Sequence, residues 1–283
     1  MPEGHTLHRL ARDLTSAFGG RVVGVSSPQG RFAAEAALLD GAVLEGAEAW
    51  GKQLFVRFDD DRFVHVHLGL IGTFDVHADL DDDEVPLPVG QVRLRLVTAR
   101  PRAAYADLRG AITCALVTAE QRDAVVAKAG PDPLRPDADP MRAWARIQRS
   151  KKPIGALLMD QSVLAGVGNV YRAEVLFRHR LHPQRPGNTL RVGQWQAVWD
   201  DLVELMAEGV VTGRIDTVRP EHTPEAMGRE PRKDDHGGEV YVYRRTGQPC
   251  LVCGRKVSAT TLEGRNLFWC SRCQPVFRSR AVG

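Results

Sequence analysis

The sequence predicts an α+β protein, with an antiparallel β-sandwich and one N-terminal helix first, then a helical domain and a four-cysteine hairpin. Three observations lead to this prediction. Apolar and polar residues alternate from Arg21 to about Val117, which is the period of half-buried strands. After residue 129 the apolar period becomes helical, and two CxxC pairs close the chain. The 283 residues, 43% of them hydrophobic, suffice for two cores, and we expect domains at 1–128, 129–236 and 237–283.

The first element is a helix. Leu7, Leu10, Leu14 and Phe18 recur at helical spacing, with Thr6 as the expected cap and a Gly-Gly pair at the end. The strands that follow are expected in the segments "QLFVRF", "RFVHVHLGLIGTF", "VRLRLV" and "AITCALV", which Gly, Asp and Pro clusters separate.

The second half reads as helices between two irregular segments. The proline-rich "AKAGPDPLRPDADP" is expected to be a linker. Four helices are expected, in "MRAWARIQRS", "IGALLMDQSVLA", "NVYRAEVLFRHR" and "VGQWQAVWDDLVELMAEGV". The segment from Thr217 to Gly238 is expected to be an exposed, mobile loop.

The charge is unevenly distributed although the net charge is only +3. Residues 142–191 hold ten Lys and Arg against two acidic residues, and residues 244–283 hold eight against one. Such basic segments are typical of proteins that bind a phosphate backbone, although they also serve solubility. The N-terminus lacks the apolar run of a signal peptide, and no apolar stretch could span a bilayer. We therefore expect a cytoplasmic protein without a membrane partner.

The N-terminal "MPEGHT" offers a nucleophile. If Met1 is removed, Pro2 carries a free secondary amine beside Glu3. A terminal amine has a reference pKa near 8, against about 10.4 for lysine, so more of it is unprotonated at neutral pH. The helix N-terminus that follows also favours the neutral amine. A proline near a terminus is often incidental, so these residues alone do not decide the matter.

The four-cysteine segment "CLVCGRKVSATTLEGRNLFWCSRC" predicts a zinc site. Cys250 and Cys253 form one CxxC and Cys270 and Cys273 the other, with sixteen residues between the pairs. This spacing suits four thiolates on one structural Zn²⁺, with the insert forming a hairpin that folds only with metal. Disulfides are the alternative, which a cytoplasmic setting disfavours. Arg265 lies near the hairpin tip, and Cys114 belongs to an apolar strand.

The segment "DQSVLAGVGNVYRAEVLF" predicts a helix, a two-glycine turn and a second helix that opens at Asn169. A dinucleotide-binding loop is excluded, because Tyr171 stands where a third glycine is needed and a helix precedes the loop. Backbone N–H groups and the amide of Asn169 at such a turn can bind phosphate. Most helical hairpins are nevertheless purely structural.

Taken together, these motifs resemble the formamidopyrimidine and endonuclease VIII family of DNA glycosylases. Seven motifs occur in the family's order: "MPEG", the "GK" turn, "HLGLIGTF", "GPDPL", "DQSVLAGVGNVYRAE", "EVYVYRRTGQPC" and the zinc finger with "CSRCQ". The resemblance implies that Pro2 attacks C1′ of a damaged nucleotide and forms a Schiff base that also drives strand cleavage. Glu3 then serves as the acid and base at the sugar, and Lys52 contacts phosphate and assists proton transfer.

The resemblance also implies a set of DNA contacts. Asn169 and Arg265 match the phosphate clamp, and Arg265 is included among the catalytic residues. Leu70 matches the wedge that fills the stack after the nucleotide is flipped out. Arg109 lies in a shortened version of the segment that supplies further void-filling residues, and Tyr171 is included among the DNA-contacting residues. The implied partner is damaged DNA, the cofactor one structural Zn²⁺, and the protein a monomer near the nucleoid.

The preferred lesion is left open between two classes. "PEGHT" is the endonuclease VIII type of start and favours oxidised pyrimidines, whereas "EVYVYRRTGQPC" is closer to enzymes that act on 8-oxoguanine. A non-catalytic protein that binds damaged DNA is a further alternative, which the Pro2–Glu3 pair disfavours. A zinc hydrolase is excluded, because four thiolates leave the metal no open position.

Overall fold

The structure, a computed structural model, describes residues 2–80, 84–99, 102–233 and 238–278. Its contacts divide the chain into two units, Met1–Lys128 and Ala129–Gly283, each with its own hydrophobic core. The helical segment and the cysteine hairpin, which the sequence analysis separated, belong to one unit. They share a core that includes Trp195, Tyr241 and Phe268.

The first unit is a sandwich of two antiparallel sheets with three helices. The helices are α1 (Gly4–Phe18), α2 (Ala33–Leu39) and α3 (Ala119–Ala127). The strands are β1 (Arg21–Val22), β2 (Gly24–Ser26), β3 (Val43–Trp50), β4 (Gln53–Phe58), β5 (Arg62–His67), β6 (Thr73–His77), β7 (Val92–Thr98), β8 (Ala104–Arg109) and β9 (Thr113–Val117). One sheet has the order β1-β3-β4-β5-β9 and the other β2-β7-β8-β6. The predicted fold class is confirmed.

The strand pairing places particular loops at one end of the first sheet. Trp50 pairs with Gln53, so Gly51 and Lys52 form a two-residue hairpin loop. Gly51 has φ +57°, the left-handed value that the first central residue of a type II′ turn requires. The β4–β5 pairing sets Leu54 opposite Val66, and the β5–β9 pairing sets His67 opposite Thr113. The hairpin loop, the end of β5 and the start of β9 therefore share one end of the sheet.

The second unit contains five helices and the cysteine hairpin. The helices are α4 (Pro140–Ile147), α5 (Ile154–Leu157), α6 (Asn169–Arg178), α7 (Val192–Thr212) and α8 (Pro224–Met227), and the hairpin strands are β10 (Ser258–Leu262) and β11 (Arg265–Trp269). The longest of these helices, α7, carries four carboxylates. No helix in the described ranges has the length and hydropathy of a membrane span.

Three local predictions are wrong. Helix α1 begins at Gly4 with Glu3 as its N-cap, so Thr6 lies inside the first turn. The predicted linker is packed, because a Cβ on Gly130 would lie 2.4 Å from the backbone of Val163, and Asp132 is fully buried. The helix expected over 154–165 ends at Leu157, and turns occupy the remainder.

The expected mobile loop from Thr217 to Gly238 is structured over its described residues. It contains a short 3₁₀ helix at Pro220–His222 and helix α8. Thr217 is buried, and its hydroxyl donates to the Glu174 carboxylate at 2.7 Å. Although its composition is typical of a mobile loop, this segment is held in place by hydrogen bonds to buried groups such as Glu174.

Candidate functional site

The N-terminus of α1 lies at the same end of the first unit as the Gly51–Lys52 loop. The Gly20 amide donates to the Leu44 carbonyl at 2.8 Å, and the Ala47 amide donates to the Thr15 hydroxyl at 2.8 Å. These two contacts show that α1 runs antiparallel to β3. Thr15 and Ala47 lie side by side. From there the helix extends about 16 Å back to Gly4, and β3 extends about 10 Å in the same direction to Trp50, so both lead to the end of the unit where Gly51 and Lys52 lie.

Pro2 and Glu3 occupy this helix start. Pro2 is half-buried, and the Glu3 side chain is fully buried at 0% exposure. Burial also lowers the pKa of the neighbouring His5 to about 4, with the cation of Arg9 adding to the effect, so this histidine is neutral at physiological pH. A buried carboxyl beside a chain terminus is costly in a purely structural setting, which makes this pair a candidate catalytic group.

Lys52 lies beside a histidine that the sequence analysis did not select. Burial and the nearby Lys52 charge lower the pKa of His67, and its Nδ1 accepts the Gly69 amide proton at 3.1 Å. On the same strand His65 contacts Gln53 Oε1 through Nε2 at 2.7 Å, and burial lowers its pKa to about 4. Two neutral imidazoles thus accompany the lysine at this end of the sheet.

An apolar patch lies beyond the end of β5. Leu70 is 55% exposed and Ile71 is 84% exposed in the turn between β5 and β6. Ile112, 69% exposed, lies in the turn between β8 and β9 and donates its amide proton to the His67 carbonyl at 2.9 Å. Leu70 is therefore a surface residue rather than a core residue, and it has two exposed apolar neighbours.

Arg109 joins several segments of the first unit. Its guanidinium donates to Asp75 and to Asp107, each at 2.8 Å, and to the Val89 carbonyl at 3.1 Å. Arg109 thereby holds β6, β8 and the loop before β7 together. Its contact with an orphaned base stays a prediction.

In the second unit a glutamine side chain shapes the predicted two-glycine turn. Gln161 donates to the carbonyls of Met159 and Val167 at 3.1 and 3.0 Å and accepts the Gly166 amide proton at 3.0 Å. The turn thereby delivers Asn169 as the first residue of α6, where backbone N–H groups have no helical partner. The local architecture is that of an anion-binding helix start.

Asn169 and the strand that begins at Arg265 are joined by one buried side chain. Arg172, 1% exposed, donates through Nη2 to the Asn169 side-chain oxygen and, at 2.8 Å, to the Asn266 carbonyl. Its Nη1 donates to the Gly155 carbonyl at 3.3 Å. The structure therefore brings the predicted clamp residues Asn169 and Arg265 to neighbouring positions, and Arg172 fixes their spacing.

Tyr171 is not a surface residue. Its side chain is fully buried in the core of the second unit, and its hydroxyl donates to the Leu205 carbonyl at 3.4 Å. A ring with no exposed surface cannot touch a ligand outside the core. The prediction that Tyr171 contacts DNA is wrong, because the helical period turns this position inward.

Glu174 ties α6 to the segment that leads into the cysteine hairpin. This fully buried carboxylate accepts amide protons from Tyr241, Val242 and Tyr243 at 2.6, 2.9 and 2.8 Å, in addition to the Thr217 hydroxyl proton. Three successive backbone N–H groups around one carboxylate form an anion nest. The contact positions the hairpin relative to α6.

The four cysteines meet as the sequence predicts. Their sulfur atoms all lie within 4.8 Å of one another, and the Cys250–Cys273 and Cys253–Cys270 pairs are 3.9 and 3.5 Å apart. Tetrahedral Zn–S bonds of about 2.3 Å place sulfurs about 3.8 Å apart. None of the five cysteines, all of them described, forms a disulfide. The site fits one structural Zn²⁺ that four thiolates hold.

We expect Cys253→Ser to lose zinc, because a serine hydroxyl is a poor ligand for this thiolate site. The hairpin strands β10 and β11 then lose the metal that holds their base, and the unfolded hairpin becomes sensitive to proteolysis. Zinc content by atomic absorption and limited proteolysis test this outcome. Cys114→Ser is the control, since Cys114 lies in the core of the first unit, and equal zinc loss in both variants would contradict the assignment.

The predicted site residues thus fall into two groups. The first unit carries Pro2, Glu3, Lys52 and Leu70, and the second carries Asn169, Arg265 and the four cysteines. Sequence reasoning missed His67, Ile71 and Ile112 at the first site and Arg172 and Glu174 at the second. The "HVHLGLIG" run contains His67 and Ile71, and Ile112 lies in "AITCALV". Buried charges inside a helix, by contrast, carry no local signal.

Three protein-family models match the chain. The formamidopyrimidine-DNA glycosylase N-terminal domain matches residues 1–114, and the formamidopyrimidine-DNA glycosylase H2TH domain matches residues 129–219. The zinc finger found in FPG and IleRS matches residues 247–276. The three matches follow one another along most of the chain.

Curated relatives cover most of the chain. "Endonuclease 8 1" of Mycobacterium tuberculosis is 53% identical over 277 residues, which is 97% of this chain and 100% of the relative. The formamidopyrimidine-DNA glycosylase of Geobacillus kaustophilus is 32% identical and covers 84% of each chain.

Solved structures share the fold. Lactococcus lactis formamidopyrimidine-DNA glycosylase, in complex with DNA that contains N7-benzyl-Fapy-dG, aligns with a TM-score of 0.75 at 22% identity. The alignment covers 97% of this chain and all of the other. A complex of the same protein with DNA that contains an oxidised pyrimidine gives the same TM-score and coverage.

Proposed function

Because the chain belongs to the formamidopyrimidine-DNA glycosylase and endonuclease VIII family, we propose that it removes oxidised bases from DNA and cleaves the strand through Pro2. Membership makes it a DNA glycosylase of base repair with damaged DNA as its partner. The preference for oxidised pyrimidines and the lyase step are the finer parts of the proposal. The observation that carries the lyase step is the fully buried Glu3 beside Pro2 at the start of α1.

The reaction begins at the Pro2 nitrogen. Its lone pair attacks C1′ of the damaged nucleotide, and the electrons of the N-glycosidic bond leave with the base. The sugar ring then opens, and the nitrogen and C1′ form an iminium ion. A secondary amine gives an iminium that has no N–H proton to lose, so it remains an electron sink. Removal of a C2′ proton eliminates the 3′ phosphate, and a second elimination releases the 5′ phosphate.

Glu3 is proposed to donate and accept the proton at the sugar oxygen O4′. As the ring opens, the bond electrons move to O4′, which needs a proton within hydrogen-bond reach. The fully buried Glu3 side chain, next to Pro2, is the proposed donor of that proton and takes one back later. A positioned acid of this kind contributes about 10²- to 10⁴-fold in rate.

Lys52 and His67 complete the proposed site in the first unit. The lysine cation, presented on a rigid hairpin loop, suits a phosphate oxygen next to the lesion. His67, whose pKa is lowered by burial and by the Lys52 charge, lies within electrostatic reach of the lysine. Lys52 is proposed for the phosphate contact and for assistance of proton transfer.

In the second unit Asn169 and Arg265 are proposed to hold the backbone phosphates. Arg172 supports this role, because it donates to the side-chain oxygen of Asn169 and so assigns the N–H₂ group of that amide as the donor toward other partners. Contacts of this type set the position of the duplex without reading its sequence. Holding two phosphates also assists the rotation of a nucleotide out of the stack.

We expect Arg265→Ala to weaken binding to a duplex with an abasic-site analogue and to make the salt dependence shallower. Removing one phosphate contact should change the slope of log K against log salt by about 0.9. Fluorescence anisotropy between low and moderate salt measures this slope. Arg255→Ala, at the cysteine end of the hairpin, is the control and should keep the slope; an unchanged slope for Arg265→Ala removes this residue from the clamp.

The exposed Leu70, Ile71 and Ile112 are proposed to fill the space that a flipped nucleotide leaves. Apolar wedges of this kind stabilise unstacked DNA steps. Ile112 adds a third exposed apolar side chain to this set. The patch supports the proposal through its exposure and its position at the Pro2 end of the unit.

The proposed substrate class is based on the sequence identities of the relatives. The relative at 53% identity is an endonuclease 8, whereas the formamidopyrimidine-DNA glycosylases with substantial coverage are 30 to 32% identical. We therefore favour thymine glycol, 5-hydroxyuracil and dihydrouracil over 8-oxoguanine. A panel of duplexes that each carry one lesion, with single-turnover rates for each, tests the order; a faster rate on 8-oxoguanine would reverse it.

Trapping with borohydride tests the enzyme against a non-catalytic binder. The zinc-loaded protein is incubated with a duplex that has one abasic site and is then reduced. The iminium mechanism predicts a covalent protein–DNA band whose peptide adduct maps to Pro2. Tight binding without any band or strand cleavage would favour the non-catalytic alternative.

A further inference from the structure

A cavity of about 390 Å³ lies in the second unit, at the C-terminal end of α6. Phe177 and Arg180 from the end of α6, the 219–222 segment, Tyr241 and the cysteine end of the hairpin line it. Its size falls within the range of small-molecule sites. None of the groups assigned to the phosphate clamp lines this cavity.

The cavity and the clamp lie at opposite ends of α6. Arg172 near the helix start contacts Asn266, close to the tip of the hairpin. The helix ends beside Cys253 and Cys273, at the base of the hairpin. Since α6 rises about 15 Å over its ten residues, one phosphate cannot occupy both places. The cavity is a separate site.

The rim of the cavity is positively charged. Arg180, Arg219 and Arg272 are exposed, and no described carboxylate lies within ion-pair distance of their guanidinium groups. A fourth arginine, Arg178, is neutralised by the carboxylate of Asp201, to which it donates through Nε and Nη2 at 2.8 and 2.6 Å. Three cations with free donor groups therefore surround one opening.

The single carboxylate at the rim, Glu221, is directed at a histidine. Its oxygen lies 3.7 Å from His222 Nδ1, and the same nitrogen contacts the Tyr241 hydroxyl at 3.0 Å. Glu221 therefore offsets part of the rim charge without pairing with a guanidinium. The cavity keeps a net positive rim among its lining side chains.

The wall of the cavity is preorganised and partly apolar. The rings of Phe177 and Tyr241 stack with centroids 4.6 Å apart, and the His222 ring meets Tyr241 edge-on at 5.6 Å. Val252 adds an aliphatic side chain that is 52% exposed. A ligand with an anionic group and a flat apolar part would match both surfaces.

We propose that this cavity binds a nucleoside phosphate, separately from the clamp. The guanidinium groups of Arg219 and Arg272 present planar, bidentate donors that match phosphate oxygens. The exposed Val252 side chain and the half-buried His222 ring, held by Tyr241, accept the face of a base. The ligand is either a free nucleotide or the phosphorylated end of a DNA strand, since both carry the same chemistry.

Two other roles for the arginines give different outcomes. They could offset the formal −2 charge of a zinc ion with four thiolates, in which case their loss reduces zinc retention and no nucleotide binds. They could receive an acidic peptide, in which case a carboxylate ligand binds as well as a phosphate. Planar bidentate geometry and the apolar wall favour the nucleotide.

The test is calorimetric titration of the zinc-loaded full-length protein, in the absence of damaged DNA. The probes are dAMP, deoxyadenosine, inorganic phosphate, hexaglutamate, and a dinucleotide with and without a 5′ phosphate. We expect dAMP to bind with a Kd below about 1 mM and deoxyadenosine not to bind. Tighter binding of the phosphorylated dinucleotide than of dAMP identifies a strand end as the ligand, and the reverse order identifies a free nucleotide.

Variants separate this site from the clamp and from zinc binding. Arg219→Gln and Arg272→Gln should each weaken dAMP binding about tenfold with zinc content unchanged. Arg142→Ala, an exposed arginine on α4, is the surface control, and Arg265→Ala should retain binding. The proposal is overturned if dAMP does not saturate the protein, if Arg265→Ala abolishes binding, if the Gln variants lose zinc, or if hexaglutamate binds equally well.

Discussion

A protein that retains one extra residue ahead of Pro2 is expected to form no borohydride-trapped complex with abasic DNA. The extra residue converts the secondary amine into an amide, whose nitrogen lone pair is delocalised and is not nucleophilic. Removal of a catalytic nucleophile lowers turnover by about 10³-fold or more. Base release and strand cleavage should both fall, because both proceed through the same nitrogen.

The matched control is the same protein after the extra residue has been removed by a protease that leaves Pro2 as the first residue. Affinity for a duplex with an uncleavable abasic analogue should be similar for both forms, since the clamp lies in the second unit. N-terminal sequencing confirms each form. Undiminished base release by the blocked protein would show that another group is the nucleophile.

Glu174→Ala is expected to cost about 3–9 kcal/mol of unfolding free energy. The change leaves the amides of Tyr241, Val242 and Tyr243 buried without an acceptor, and each such loss costs about 1–3 kcal/mol. Domains are typically stable by about 5–15 kcal/mol, so the second unit would be only marginally folded. Chemical denaturation, followed by tryptophan fluorescence, measures the effect, because Trp144, Trp195, Trp199 and Trp269 lie in this unit.

Glu208→Ala on the exposed face of α7 is the control. An exposed helical glutamate without buried partners should change stability by about 0.5 kcal/mol or less. An equally small change in unfolding free energy for Glu174→Ala would contradict the prediction. It would mean that water accepts the three amide protons in place of the carboxylate. Since the nest holds the approach to the hairpin, we also expect the less stable variant to bind DNA more weakly.

The sequence predicted those strands and helices whose side chains follow a single period. "QLFVRF" corresponds to β4, and the helix that opens at Asn169 corresponds to α6. The expected helix over 154–165 was too long, because Gln161 satisfies backbone groups in a turn instead of letting the helix continue. Strand β8 was missed, since "AYADLR" places Asp107 on a buried position that only its arginine partners make tolerable.

Among the site residues, the sequence by itself determined the chemistry. The four cysteines are set by residue type and spacing, because a tetrahedral thiolate site needs no other information. Pro2, Glu3 and Lys52 were selected through the family resemblance that the order of the motifs carries. The cysteines do meet around a zinc-sized space. The proposed roles of Pro2, Glu3 and Lys52 remain predictions for the experiments above.

The tertiary structure alone decided exposure and partnership. In the structure Tyr171 is buried in the core, and Arg109 donates to two carboxylates. Ile71 and Ile112 are exposed, as Leu70 is. Arg172 and Glu174 are buried and connect segments of the second unit. The physical reason is that a charged side chain is stable in the interior only when its hydrogen-bond partners come from distant segments. Which segments meet is a property of the fold and not of any local stretch of sequence.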